Sequence, residues 1–369
     1  MEKMFNYERV YHDIKEKILS GAYRPEDKLP TEAELQESFG VSRITIKKAM
    51  ELLANEKLIV RFPKRGTFVN SGHLDVPAEE CEPAVQRIIG VLMSGFSPSF
   101  GQDFLHSVAV EANRKGYALL TGLGYSSVEE ESELIDRMIK AGADGLIIMA
   151  VHGESGINAG IANCAMSGFP TVLVDRYLEG FSLPYVGSDN VDAAFQATQY
   201  LFSLGHKKIG LISSAPTTTA IVEREKGYMN AYAMTHFRIS TSFLVHEIRS
   251  SMPGKNTQEN FRHDVERMKA YYRDNPDVTA LLCIDYNILK VCKAAAQEIG
   301  IRIPDDISMV CFDAPDALSE YTHIQQPERE IGECAVGLLT DVMDHSCEAQ
   351  QILLPTKLCI GSSTRKIER

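Results

Sequence analysis

The chain has 369 residues, 44% of them apolar and 24% charged, the balance of a soluble globular protein and more than one average core can hold. No signal-type apolar run opens it, and stretches such as Leu146 to Val151 fall far short of the roughly 20 residues that span a bilayer, so a cytoplasmic protein without a membrane partner is expected. The net charge of −12 is uneven: residues 1–72 carry +2 and the remainder −14, which suggests a small nucleic-acid module on an acidic body.

Tyr7, Val10, Tyr11, Ile14 and Ile18 repeat at helical spacing and stop at Gly21. Thr31 with Glu34 three residues on forms a capping-box pattern that starts a second, short helix. Phe39-Gly40-Val41-Ser42 then makes a tight turn, with Ser42 as the cap of a third helix. On that helix Ile46, Ala49, Met50 and Leu53 form an apolar stripe, leaving Arg43, Thr45, Lys47 and Lys48 near its N-terminus. Basic and hydroxyl side chains so placed suit a recognition helix in the major groove. Leu58–Arg61 and Thr67–Val69 read as two strands joined by a basic wing tip. The candidate DNA contacts are Thr31, Glu32, Arg43, Thr45, Lys47, Lys48, Lys64, Arg65, Gly66 and Thr67.

The strings Asp27–Leu35, Phe39–Ile46 and Arg65–Val69 closely resemble the GntR family of bacterial repressors across residues 7–70. That resemblance implies a winged helix-turn-helix with operator DNA as partner, and DNA contacts from Arg43, Thr45, Lys47 and the wing around Gly66. Ala33 stands where the family often has a DNA-touching Arg, and Ile44 where a polar residue is common; an isoleucine there suits a thymine methyl group.

Residues 71–87 are polar and acidic with two prolines and read as a linker. Beyond them Ile/Val/Leu strands alternate with amphipathic helices. The strands are Ile88–Met93, Ala118–Thr121, Gly145–Ala150, Thr171–Val174, Ile209–Ser213, Thr279–Ile284 and Ile307–Phe312. This is the pattern of parallel sheets buried on both faces, in more strands than one sheet holds comfortably. The fold expected is therefore α/β, the winged helix-turn-helix followed by two doubly wound lobes, an arrangement that resembles a periplasmic-binding-protein-like domain. The first lobe is placed at 88–205 and 326–346, the second at 206–325 and 347–369. Ligands of such sheets sit beyond the carboxyl ends of the strands, which draws attention to Phe100, Asp175-Arg176, Asp189-Asn190, Arg224, Asp285 and Asp313.

This region resembles the sensor domains of the LacI/GalR family, through Ile88–Leu92, Ala143–Ile147, Val174–Arg176, Leu204–Ile209, Ile303–Ser308 and Gln326-Pro327. The resemblance implies contacts to a sugar or sugar derivative from Phe100, Arg176, Asp189, Arg224, Asp285, Asp313 and Gln326. Ile284-Asp285 departs from the family's frequent Asn-Asp, and Pro98 stands where an Asn is common.

Enzyme signatures are missing. No phosphate-binding loop, nucleophile elbow or His-x-x-x-His spacing occurs, and the eight cysteines include no Cys-x-x-Cys pair, so no metal, cofactor or catalytic residue is expected. The resulting expectation is a homodimeric repressor of carbohydrate-utilisation genes, nucleoid-associated when on its operator. The alternatives are a cytoplasmic small-molecule binding module that reads no operator, or a regulator of co-repressor or activator type.

Overall fold

In the computed structural model, helix α1 (Asn6–Leu19) buries Val10, Ile14 and Ile18, the residues that set its 3.6-residue period. The structure describes residues 6–24, 27–56, 58–62, 66–70, 87–95, 99–125, 127–151, 158–215, 218–252, 254–314, 320–344 and 350–367. Residue contacts divide the chain into two units, Met1–Ala84 and Val85–Arg369.

The first unit continues with α2 (Glu32–Phe39), α3 (Arg43–Asn55) and an antiparallel pair, β1 (Ile59–Phe62) and β2 (Gly66–Val69). Gly40 closes α2 in the left-handed conformation at φ 63°, which glycine adopts without strain, and Ser42 accepts the Thr45 N–H to open α3. The turn between the two helices is therefore only three residues long. Ile46, Ala49, Met50 and Leu53 face α1 and Leu35 to make the small core.

The second unit runs β3 (Ile88–Met93), α4 (Gln102–Arg114), β4 (Ala118–Leu123), α5 (Val128–Lys140), β5 (Gly145–Met149), α6 (Ala159–Ser167), β6 (Thr171–Val174) and β7 (Tyr185–Ser188). It continues with α7 (Asn190–Ser203), β8 (Ile209–Ile212), α8 (Thr219–Ala233), β9 (Leu244–Val245), α9 (Gln258–Asp274), β10 (Ala280–Cys283) and α10 (Tyr286–Glu298). The last elements are β11 (Ser308–Phe312), β12 (Thr322–Gln325), α11 (Glu328–Met343), β13 (Gln351–Leu354) and β14 (Lys357–Cys359). One six-stranded sheet has the order β13-β7-β6-β5-β3-β4 and is parallel throughout. The other has the order β14-β12-β11-β10-β8-β9, parallel except for β14. In each lobe the first strand lies between two later ones, so the order reverses at β3 and at β8, and a crevice opens beyond their carboxyl ends.

The lobe boundaries differ from those expected. Helix α7 buries Ala193, Ala194, Ala197 and Leu201 in the second lobe's core, so the first segment of lobe one ends near Ser188 rather than at residue 205. The Leu204-Gly205 turn is the visible punctuation in the sequence, but it ends a helix that has already changed lobes. Strand β13 pairs Gln351 with Tyr185 and Leu354 with Ser188, so residues 347–369 do not all belong to lobe two. From β14 onward the chain returns there: β14 pairs with β12, the Met309 N–H donates to the Ser363 carbonyl and the Ile367 N–H to the Leu204 carbonyl. The chain crosses between lobes three times, near Asp189, Gln326 and Pro355.

Candidate DNA face and effector cleft

In the first unit α3 presents Arg43, Ile44 and Lys47 to solvent, with the Arg43 side chain 79% exposed. Glu32, at the start of α2, lies 3.8 Å from both Arg43 and Arg61, joining helix and wing through one carboxylate. Thr31 caps α2: its N–H and hydroxyl donate to Glu34 at 2.7 and 2.8 Å, which holds the Glu34 carboxyl below its usual range. The Thr45 hydroxyl is shared with Ser42 at 2.9 Å. Lys48 is turned onto α1, its ammonium 4.1 Å from the centre of the Tyr7 ring, which gives this expected DNA contact a partner inside the head. Thr67 accepts the Leu29 N–H at 2.9 Å, and Gly66 sits at φ 117° beneath the Lys28 side chain. Lys64 and Arg65 lie outside the described residues.

In the second unit a cavity of about 200 Å³ is walled by both lobes. Phe100, Arg176, Arg224, Asp285, Asp313 and Gln326 all line it. Asp189 does not. It stands at the crossover into α7, and its carboxylate is taken by the Asp192 N–H at 2.9 Å as the helix cap.

Arg224, on α8, is fixed from three sides. Its Nε donates to Asn190 Oδ1 at 2.8 Å, its Nη1 to the Ile284 carbonyl at 2.7 Å, and its guanidinium lies 4.0 Å from the centre of the Phe312 ring. Two donations of its five remain accounted for in this way, so the fork keeps N–H groups for a ligand. Arg176 is aligned by Asp175 at 3.1 Å and by the Ala150 carbonyl at 3.4 Å. Gln326 donates from Nε2 to both carboxylate oxygens of Asp313, at 3.0 and 3.1 Å, and accepts the Ser188 hydroxyl at 2.8 Å. That chain ties β7 of one lobe to the end of β11 in the other.

Burial pushes the Asp313 carboxyl up to about 7, against the opposing pull of Arg224 and the Gln326 amide. Asp285, which caps α10 through the Ile288 N–H at 2.8 Å, is raised for the same reason. Behind Arg176 a fully buried Glu131 takes the Val151 N–H at 3.0 Å and the Asn158 amide, and burial lifts it to about 7. Asp175, Ser214, Thr218, Ser251, Met252 and Tyr286 also line the cavity. Asp175 stands in a strand-end string that the sequence exposes. Ser251 and Met252 follow a two-residue strand too short to show alternation, so no periodic signal marks them.

A family profile described as bacterial regulatory proteins of the gntR family matches residues 6–69, and one described as a periplasmic binding protein-like domain matches residues 198–364. The chain joins a GntR-type helix-turn-helix domain to a periplasmic-binding-protein-like domain. It is 25% identical to the arabinose metabolism transcriptional repressor of Geobacillus stearothermophilus, over 98% of each chain. It is also 25% identical to the repressor of the same name from Halalkalibacterium halodurans, over 99% of this chain and 97% of the relative. A solved complex of the transcriptional regulator CelR with cellobiose shares the fold at a TM-score of 0.65 and 21% identity, covering 88% of this chain and 91% of that one. No helix among the described residues is long and apolar enough to cross a membrane.

Proposed function

We propose that the protein is a sequence-specific DNA-binding repressor of carbohydrate-utilisation genes, released by a sugar-like effector held between the lobes. The observation that carries this reading is the cleft itself: two oriented guanidiniums, two buried carboxyls and a carboxamide converge from both lobes beside Phe100. Planar charged groups hydrogen-bond vicinal hydroxyls in pairs, while an aromatic ring covers the apolar face of a sugar. Relatives named for arabinose metabolism and a neighbour solved with cellobiose point to the same chemistry.

The head reads DNA through Arg43 and Lys47 of α3 and through the wing, and the protein acts in the cytoplasm as a homodimer on a two-fold operator. Thr45 and Gly66 hold those elements in shape. Effector and operator oppose each other by linkage, each lowering affinity for the other by the same factor.

The test is to select binding sites for the full-length protein from random duplex DNA. Release is then titrated with L-arabinose, D-ribose, D-galactose and cellobiose. A palindromic site and release by at least one sugar are expected. Failure to retain duplex DNA even at low salt, where phosphate contacts bind most tightly, would instead favour a pure binding module.

A further inference from the structure

The loop 246–252 reaches the cleft through Ser251 and Met252 and gathers buried polar atoms that nothing answers. Among the described residues four buried side-chain atoms lack a hydrogen-bond partner: Asp13 Oδ2 in the head, and His246 Nδ1, Ser250 Oγ and Ser251 Oγ in this loop. Asp13 is ion-paired with Lys17 at 2.8 Å, so the truly unanswered atoms are the three that fall within six consecutive residues of this loop. A buried hydroxyl without a partner gives up its hydrogen bonds to water with nothing in return, so each such atom in a folded protein asks for an explanation.

The loop is not loosely placed. Asp264 of α9, with none of its surface exposed, accepts the Arg249 N–H at 3.0 Å and the Ser250 N–H at 2.7 Å on a single carboxylate oxygen. Its other oxygen meets His263 Nδ1 at 3.2 Å. The Ile248 N–H is anchored to the Ser213 carbonyl at 3.3 Å, and the Met252 N–H to the Arg249 carbonyl at 3.0 Å. Backbone groups are thus satisfied by a buried charge while the serine hydroxyls are left open. Ser251 and Met252 stand in the cavity lining together with Arg224 and Asp313. A backbone fixed by these hydrogen bonds and carrying an unanswered hydroxyl at a polar cleft is what a preorganised ligand contact requires.

We propose that Ser251 is an effector-binding residue, its hydroxyl completing its hydrogen bonding only on a hydroxyl-rich ligand, with Met252 against an apolar patch of that ligand and Asp264 as the positioning residue that holds the loop. This rests on the reading of the cleft as a sugar site. Ser250, 3% exposed, is not among the residues that line the cavity.

The experiment measures binding of L-arabinose, D-ribose, D-galactose and cellobiose to the full-length wild type by calorimetry and thermal shift, then repeats the tightest sugar on Ser251→Ala and Asp264→Asn. For Ser251→Ala the expected result is affinity weakened about five- to tenfold, the scale of one lost hydrogen bond. The ligand-free Tm should be unchanged or higher, because an unanswered hydroxyl is removed. Asp264→Asn should weaken the same sugar and lower the ligand-free Tm, and Ser251→Thr, which keeps the hydroxyl, should recover part of the affinity. Equal sugar affinity in wild type and Ser251→Ala overturns the proposal alone. A fall in ligand-free Tm for Ser251→Ala without loss of affinity shows a structural hydroxyl and also overturns it. If no sugar binds wild type, the cleft reading fails and this inference falls with it.

Discussion

Asp175 and Asp313 hold the same post in the two lobes. Each follows the last residue of an inner strand, β6 or β11, and each is left-handed, at φ 63° and 62°. The Asp175 N–H reaches back to the Val186 carbonyl at 3.2 Å and the Asp313 N–H to the Ile324 carbonyl at 2.8 Å, so both turns close onto the neighbouring strand. Their carboxylates meet at one cavity, and the charge of Asp175 helps to raise Asp313. Aspartate tolerates this backbone better than most residues, which lets a strand end turn sharply and still offer a carboxylate.

The first prediction concerns pH. A carboxyl whose folded value is raised to about 7 binds its proton more tightly in the folded state than in the unfolded one. Its contribution to stability is therefore complete below the ordinary aspartate range and is lost as pH rises through about 7. Asp313→Asn keeps the left-handed turn and a partner for Gln326 but cannot titrate. Relative to that variant, wild type should lose on the order of 2–4 kcal/mol between pH 4 and pH 8. Urea midpoints at both pH values check this, and parallel curves for the two proteins would show that Asp313 does not titrate in the window.

Arg224→Ala separates sensing from DNA reading. It leaves the Asn190 amide oxygen and the Ile284 carbonyl without their donor, and a loss of about 1–3 kcal/mol in stability follows from buried acceptors left unpaired. Operator affinity of the ligand-free protein should be unchanged, while release by the effector should disappear. Arg224→Lys keeps the charge but not the fork, and should rescue little of the response. Operator titrations with and without sugar decide the matter; a normal inducer response in Arg224→Ala would remove it from the effector site.

The sequence made the alternation of strands and helices readable because buried parallel strands are continuous Ile/Val/Leu runs, as in Gly145–Met149. The helix-turn-helix was readable because Thr31, Gly40 and Ser42 act through local backbone geometry. What stayed hidden depends on distant partners. That α7 leaves the first lobe is decided by Ala193, Ala194 and Ala197 meeting α8, and small residues carry no periodic signature of which core they enter. Asp189 looks like its strand-end counterparts in sequence, yet the cap on α7 takes its carboxylate. Ser251 needs the buried Asp264, thirteen residues downstream, before its position has meaning.

The α7–α8 contact supports a paired stability test. A Cβ on Gly227 would lie 2.1 Å from the Val191 carbonyl oxygen, a backbone atom that cannot yield without moving α7. On Gly337 of α11 a Cβ meets nothing within 4 Å. Alanine gains roughly 1 kcal/mol over glycine inside a helix, so Gly337→Ala should stabilise by about 0.5–1 kcal/mol. Gly227→Ala should destabilise by about 1–3 kcal/mol despite that same gain, because overpacking dominates. Denaturant midpoints of opposite sign are expected, and a stabilising Gly227→Ala would mean that the two helices are not packed this closely.

The last prediction turns on Glu32, which holds Arg43 of α3 and Arg61 of the wing at 3.8 Å each. Arg43 is largely exposed, so this ion pair adds little to stability and its removal should leave the fold intact. Arg43→Ala should weaken the selected operator by about 1–3 kcal/mol, the scale of one base-reading contact, while affinity for random duplex falls much less. Glu32→Gln should act in the other direction on random DNA. It frees two guanidiniums from a carboxylate that also repels phosphate, so non-specific affinity should rise and the salt slope should steepen by up to about one or two ions. The discrimination between operator and random sequence should shrink in that variant. Titrations of wild type and both variants between 50 and 200 mM salt measure all of this together, on the salt range over which counterion release is resolved. If Arg43→Ala left operator affinity unchanged at the upper end of that range, α3 would not be the helix in the major groove.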